Sequence, residues 1–288
     1  MNASAVRLTD RAAVLLRGKD RSTWLNGLVT CDLAKRAEGA GAYGLIVEKK
    51  GRIQTDFFLV PGTETLVLAV PAALQKAMVE LLDHHLIMED VELETPDLVF
   101  WQLHGTGAVA VATGLAAAWH GALDLLGEGG AIVAVSREES DAFGSRLRAA
   151  VVAAGGEVLE EEAWESLRIE RGLPRFGVEF DASFYPQEAA LERRAVSFDK
   201  GCYLGQEVVY MLENRGHVKR KLVPLDVDGD LAPAAGVPIT LPDGTVVGDV
   251  KSGTVGPSGK ASAIAMVKWA QAQAGTELRA GERVARVR

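Results

Sequence analysis

Cysteine is scarce in this chain: its 288 residues contain two, Cys31 and Cys202, with no second cysteine near either. Without a CxxC pair or an even, closely spaced set, a disulfide framework and a structural zinc site are both set aside, and no stable metal site is expected. Long apolar runs are missing as well. No stretch reaches the roughly 18 residues that cross a bilayer, and the opening Met1-Asn2-Ala3-Ser4-Ala5-Val6-Arg7 lacks the charged-then-apolar order of a signal peptide. A cytoplasmic protein with no membrane span is the expectation. Neither GxxxxGK[ST] nor a strand-linked GxGxxG occurs, so the glycines at 127, 129, 130, 155 and 156 are read as turns and not as phosphate loops. A basic surplus is also lacking. The net charge of −8, from 31 basic and 39 acidic residues, gives no general support for nucleic-acid binding.

What is present is the composition of an ordinary globular protein, 48% hydrophobic and 24% charged, too apolar to be disordered and long enough for two or three domains. Ala13–Leu16 reads as a strand. Gly18-Lys19-Asp20 then turns into a short helix that carries Trp24, Leu25 and Leu28 on one face, with Asp20 as its N-cap. Tyr43–Val47, Arg52–Val60 and Thr65–Val70 form an antiparallel meander, followed from Pro71 by helical spacing of Leu74, Ala77, Met78, Leu81, Leu82 and His85. His85 has no spaced partner and is read as a core or rim histidine. A second round follows, with strands near Leu98–Leu103 and Ala131–Val135 and helices near Ala108–Ala118, Asp141–Ala154 and Glu161–Arg171. The pattern is α+β. After Lys221 come short apolar segments at Val223–Val227, Val237–Leu241, Val246–Val250, Ala263–Trp269 and Val284–Val287, separated by Asp-Gly and Pro-type turns. This regular spacing predicts a small β-barrel.

The most specific stretch is Lys200-Gly201-Cys202-Tyr203-Leu204-Gly205-Gln206-Glu207, a thiol set between glycine and an aromatic just before a predicted helix that ends near Asn214-Arg215-Gly216. A helix N-terminus and the Lys200 ammonium would each favour thiolate at Cys202, and Gly201 and Gly205 suggest a backbone that bends or admits a partner. The alternative is a buried, inert cysteine. Beyond the motif, Arg215, His217, Lys219, Arg220 and Lys221 form a basic run, read either as a solvated turn or as a site for an anionic small molecule or an RNA phosphate.

The run Phe198–Glu207 with Arg215-Gly216 resembles the signature of the YgfZ family, folate-binding relatives of the glycine-cleavage T-protein. The likeness extends to Trp24–Asp32, to Gly51-Arg52-Ile53-Gln54-Thr55-Asp56 and to Arg168–Pro174, and so covers nearly the whole chain. It implies two interwoven α+β modules, residues 1–45 with 160–220 and residues 46–159, plus a C-terminal β-barrel at 221–288, arranged around a central channel that holds tetrahydrofolate or a derivative. It further implies a role in assembling or repairing iron–sulfur clusters of client enzymes, including enzymes that modify tRNA, with client or assembly proteins as partners. Asp56 resembles the T-protein aspartate that faces the reacting end of folate. Tyr43 and Glu170 resemble its folate-contacting tyrosine and pterin-binding glutamate, and basic residues near Arg215 would meet the folate carboxylates. The chemistry suits a pterin, whose N–H edge one carboxylate can accept while an aromatic wall supplies apolar contact. An exposed Asp56 or Glu170 with no ligand role is the plainer reading of each.

Departures from the T-protein pattern are informative. Cys202-Tyr203 stands where T-proteins carry Asp-Phe, and their Gly-Tyr-Thr-Gly-Glu segment has no counterpart. Met211 occupies a position that is commonly basic in the YgfZ family. These differences favour an accessory protein, with Cys202 as a redox or transient ligand thiol and classical turnover left open. The alternatives are a folate-dependent aminomethyltransferase or other one-carbon enzyme, with Asp56 handling a proton, and a tRNA-binding module acting through the run at 215–221.

Overall fold

A computed structural model describes residues 2–288, and their internal contacts divide the chain into two compact units, each built from separate stretches of sequence. The first comprises residues up to Val47, Gln54–Glu161 and Arg194–Leu204; the second comprises Glu48–Ile53, Glu162–Arg193 and Gly205–Arg288. Among the described residues, no helix is long and apolar enough to cross a membrane.

The first unit runs β1 (Ser4–Leu8), β2 (Arg11–Arg17), α1 (Arg21–Asn26), β3 (Ala42–Val47), β4 (Ile53–Pro61), β5 (Leu66–Pro71), α2 (Gln75–His84), β6 (Glu92–Glu94), β7 (Leu98–His104), α3 (Ala108–Gly114), β8 (Trp119–Ala122), β9 (Gly130–Ser136), α4 (Ser140–Ala153) and β10 (Val158–Leu159). The strands make two five-stranded sheets, ordered β3-β4-β5-β2-β6 and β10-β1-β7-β9-β8. Side chains alternate across a strand, so Val14 and Leu16 of β2, Ile46 of β3, and Phe57 and Leu59 of β4 turn to one face, where they pack with Trp24, Leu25, Met78 and Leu82 of α1 and α2. The residues between them, including Arg11, Tyr43, Asp56 and Phe58, lie on the opposite face of the same sheet. That face is buried too, which is why Phe57–Val60 of β4 reads as an uninterrupted apolar run. The second sheet packs Val99, Trp101 and Val133 against Ala108, Ala112, Phe143 and Leu147 of α3 and α4.

Two local expectations change. Asp20 precedes α1 but makes no side-chain cap; its Oδ2 accepts the Asp90 N–H at 2.9 Å and so ties the helix entry to the distant 85–91 loop. The segment after Pro71 opens with a short 3-10 turn before α2, which buries Met78 and Leu82 but leaves Ala77 exposed and Leu74, Leu81 and His85 half-buried.

The second unit contains most of α5 (Glu161–Glu170), then α6 (Gln206–Asn214), β11 (Arg220–Val227), β12 (Pro238–Thr240), β13 (Val246–Val255), β14 (Ala261–Lys268), β15 (Glu277–Ala280) and β16 (Arg283–Val287). The strands close into a barrel ordered β11-β14-β13-β12-β15-β16. The α+β architecture with a C-terminal barrel is therefore present. The barrel interior fills by matching large with small: Val223, Leu225 and Val227 of β11 face Ala265, Ala263 and Ala261 of β14. Nearby, the buried Arg168 guanidinium lies between Glu165 and Glu179, and Glu179 also accepts the Ser252 hydroxyl and the Arg175 N–H. Every charge in that buried group has an opposite partner, which burial requires.

Candidate functional site

The sequence-selected residues of the first unit meet on the second face of the β3-β4-β5-β2-β6 sheet. The Asp56 carboxylate, 1% exposed, takes Arg11 Nη1 on Oδ1 at 2.7 Å and Nη2 on Oδ2 at 3.1 Å. Tyr43 donates its hydroxyl to the same Oδ2 at 3.1 Å. Phe58 forms the floor, with the Arg11 guanidinium 4.5 Å from its ring centre and the Tyr43 ring centre 5.2 Å away. Burial opposes the Arg11 charge, but the Asp56 carboxylate outweighs it and holds the guanidinium above its ordinary range. Burial, reinforced by Asp56, raises the Tyr43 phenol well above its usual range, so Tyr43 remains a donor. The reading of Asp56 as a solvent-facing carboxylate is corrected: it is half of a buried ion pair. Sequence reasoning missed Arg11, although a charge opening the apolar string Arg11-Ala12-Ala13-Val14-Leu15-Leu16 was a visible signal. It also missed Arg194, whose positive charge acts on the Tyr43 phenol.

The cysteine motif is arranged differently from its local sequence logic. Lys200 is buried, and its Nζ donates to the carbonyl oxygens of Asn26 at 2.7 Å, Val29 at 2.8 Å and Cys31 at 2.7 Å. An ammonium has three hydrogens, and all three are used. The expectation that Lys200 activates Cys202 is therefore corrected; its charge acts on Cys31, whose thiol burial nevertheless pushes up to about 12. Cys202 itself is exposed and unbridged. Tyr203 is buried, and its hydroxyl has no hydrogen-bond partner among the described residues. Gly205 has φ +77°, a left-handed conformation that favours glycine, at the start of α6. Gly201 is open, and a side chain there would meet nothing within 4 Å. Gln206 is half-buried and Glu207 exposed in the first turn of α6.

Glu170 and Arg215 belong to the second unit. The Glu170 carboxylate is half-buried, with Oε2 accepting the Ser258 N–H at 3.1 Å. Gly256 makes this close approach feasible, because a Cβ there would lie 1.8 Å from Oε2. Arg215 is exposed at the end of α6. The basic run beyond it is partly neutralised: Arg220 pairs with Glu188 at 3.2 Å and Lys221 with Glu192, while His217 stacks on Trp269.

No family model matches the chain. Its fold is that of the aminomethyltransferase T-protein: the glycine cleavage system aminomethyltransferase T of Bartonella henselae superposes with a TM-score of 0.82 over 99% of this chain and 84% of that one, at 20% identity. In sequence, the chain is 28% identical to an aminomethyltransferase of Herpetosiphon aurantiacus, covering 94% of this chain and 80% of that protein. It is 27% identical to the tRNA-modifying protein YgfZ of Yersinia enterocolitica, covering 84% and 82%. The chain is thus similar in sequence to YgfZ proteins and to aminomethyltransferases, in agreement with the resemblance carried by its cysteine motif.

Proposed function

We propose that the protein binds a reduced folate and serves as an accessory factor in iron–sulfur metabolism, not as an aminomethyltransferase. The observation that carries the folate reading is the pairing of Tyr43 with Asp56 on adjoining strands, at the two positions where the T-protein resemblance implies a folate contact. Tyr43 and Phe58 would supply an aromatic wall. Asp56 would act as the fixed anion that orients the Tyr43 hydroxyl. In the second unit, taken by itself, Glu170 has Oε2 held by the Ser258 N–H, and the resemblance alone implies that it accepts from a pterin. The same geometry argues against transfer chemistry. A general base must bring its own oxygen within hydrogen-bond reach of the proton it takes, and Asp56 is buried with Arg11 on both oxygens. Exposed Cys202 replaces the Asp of the T-protein pattern and suits thiol redox or transient ligation better than acyl-type catalysis, since no histidine lies within its motif.

The test is calorimetric titration of tetrahydrofolate into wild type, Glu170→Gln, Glu170→Ala and Asp56→Ala. For the Glu170 variants, loss of one charged hydrogen bond corresponds to about 1.5–3 kcal/mol, a weakening of roughly ten- to hundredfold; Asp56→Ala should weaken binding through the Tyr43 hydroxyl it orients. Wild-type affinity in all variants removes these residues from the site, and absence of wild-type binding removes folate itself. Turnover of a lipoyl-aminomethyl donor would reinstate transfer. For the thiol, Cys202→Ser is expected to fail to restore iron–sulfur enzyme activity in cells lacking the protein; full rescue refutes that role.

A further inference from the structure

The second unit carries an aromatic and basic surface, and the folate resemblance would draw only on its edge near Arg215. Three of its cations are matched: Arg193 with Glu213 at 3.5 Å, Arg220 with Glu188 at 3.2 Å, and Lys221 with Glu192. The side chains of Arg215, Lys219 and Lys268 are exposed and have no carboxylate or hydrogen-bond partner among the described residues. Glu207 lines the same surface groove as Arg215 without pairing to it. The local surplus is therefore positive in a chain whose total charge is −8. The local surplus governs a bound polyanion, because charges more than about 8–10 Å apart across solvent are screened at physiological salt.

Aromatic groups sit among these cations. His217 and Trp269 stack with ring centres 4.2 Å apart and planes 11° from parallel, fixing an indole that stays 41% exposed. The backbone N–H of Trp269 bonds the Lys219 carbonyl at 3.0 Å, and Lys268 immediately precedes it, so both lysines flank the stack. Beside it lies a cavity of about 240 Å³ whose lining includes Gln187, Glu192, His217, Val218, Lys221 and Trp269. Gln187 and Glu192 are 5% and 8% exposed, yet Gln187 Oε1 and Glu192 Oε2 have no hydrogen-bond partner among the described residues. Gln187 uses one amide N–H on the Val209 carbonyl, and the two oxygens remain free to accept from a ligand.

We propose that this surface binds single-stranded RNA, with a base against the His217–Trp269 pair, its amino group toward Gln187 and Glu192, and the flanking phosphates on Arg215, Lys219 and Lys268. Base stacking on a fixed aromatic and a row of unpaired cations are the two components of single-strand recognition. A planar, amino-bearing ring with an anionic tail also describes folate. The spread of three separate cations fits successive phosphates better than one tail, and the experiment separates the two sources.

Fluorescein-labelled oligo(rC) and oligo(rU) octamers would be titrated with the full chain by anisotropy at several salt concentrations. Three phosphate contacts predict a slope of log K against log salt of about −2. Oligo(rC) should bind several-fold tighter than oligo(rU), because only cytosine presents an amino donor. Trp269→Ala should weaken binding about five- to 150-fold. Arg215→Glu/Lys219→Glu/Lys268→Glu, all on exposed side chains, should abolish binding without lowering the melting temperature. Excess tetrahydrofolate should leave the oligonucleotide bound. No binding at low salt, a slope near zero, equal affinity for the two octamers, an unaffected Trp269→Ala or triple variant, or displacement by tetrahydrofolate would each overturn the proposal. None of these results depends on whether folate binds elsewhere.

Discussion

Replacing Arg11 by methionine tests whether Asp56 is part of a buried ion pair or an independent ligand group. Methionine keeps a long apolar stem against Phe58, so little packing is lost. The carboxylate, however, loses two charged hydrogen bonds at 2.7 and 3.1 Å and keeps only the Tyr43 hydroxyl, at a place 1% exposed to solvent. Removing one partner of a buried pair costs about 3–5 kcal/mol, chiefly because the remaining charge has nothing to replace water. For a unit of this size, each kcal/mol lowers the melting temperature by roughly 2–4 °C, so thermal unfolding followed by circular dichroism should shift down by about 6–20 °C. The triple replacement Arg11→Met/Tyr43→Phe/Asp56→Leu removes every polar atom of the cluster and should recover most of that loss, since apolar groups of similar volume often substitute for buried ion pairs without penalty. A shift below about 2 °C for Arg11→Met, or a triple variant no more stable than the single one, would refute the ion-pair reasoning.

Iodoacetamide at about pH 8 should label Cys202 and spare Cys31 in the native chain, with mass spectrometry locating the adduct; preferential labelling of Cys31 would contradict the assigned burial. The raised Cys31 thiol also predicts a pH effect. The folded form keeps a proton that the unfolded form releases, so its contribution to stability is complete below the ordinary value of 9.0 and is lost as pH climbs toward about 12. Urea midpoints of wild type and Cys31→Ala should therefore converge above pH 9, and a constant gap would count against it. Gly256→Ala would place a Cβ 1.8 Å from Glu170 Oε2 and 2.6 Å from its Cδ. It should cost about 1–3 kcal/mol of stability in chemical denaturation and reduce tetrahydrofolate affinity as Glu170→Gln does. The stability cost should shrink in a Glu170→Ala background; equal costs in both backgrounds would mean that Glu170 is not what Gly256 accommodates.

Alternation and turn chemistry made much of the architecture readable in advance. The meander at β3 to β5, the helices at α4 and α5 and most of the barrel strands have strong local patterns bounded by glycine, proline or aspartate. The short strands do not. β1, β8, β10 and β15 have five or fewer residues and are held by distant partners, as in the parallel pairing of Ala5 with Val158. The site divided along the same line. Tyr43 and Asp56 were placed together through the family resemblance, whereas Arg11 is two strands removed from Asp56 in the sheet and 45 positions away in sequence. Lys200 misled because its charge was assigned to the thiol two residues on, while the folded chain sends it back to carbonyls near the start. Proximity in sequence sets what a residue can reach only when its backbone neighbours leave it no better partner.

The three bonds of Lys200 bear on how the first unit comes to be made. They join a segment that follows some thirty residues of the second unit to Asn26, Val29 and Cys31, across sequence separations of 174, 171 and 169 residues. During synthesis, α1 and the loop after it therefore emerge long before the cation that satisfies their carbonyls, and until then those groups depend on water. Contacts of such separation form late and slow the folding of a chain. A ribosome paused before residue 200 would hold a first unit with its sheets present and this corner still open.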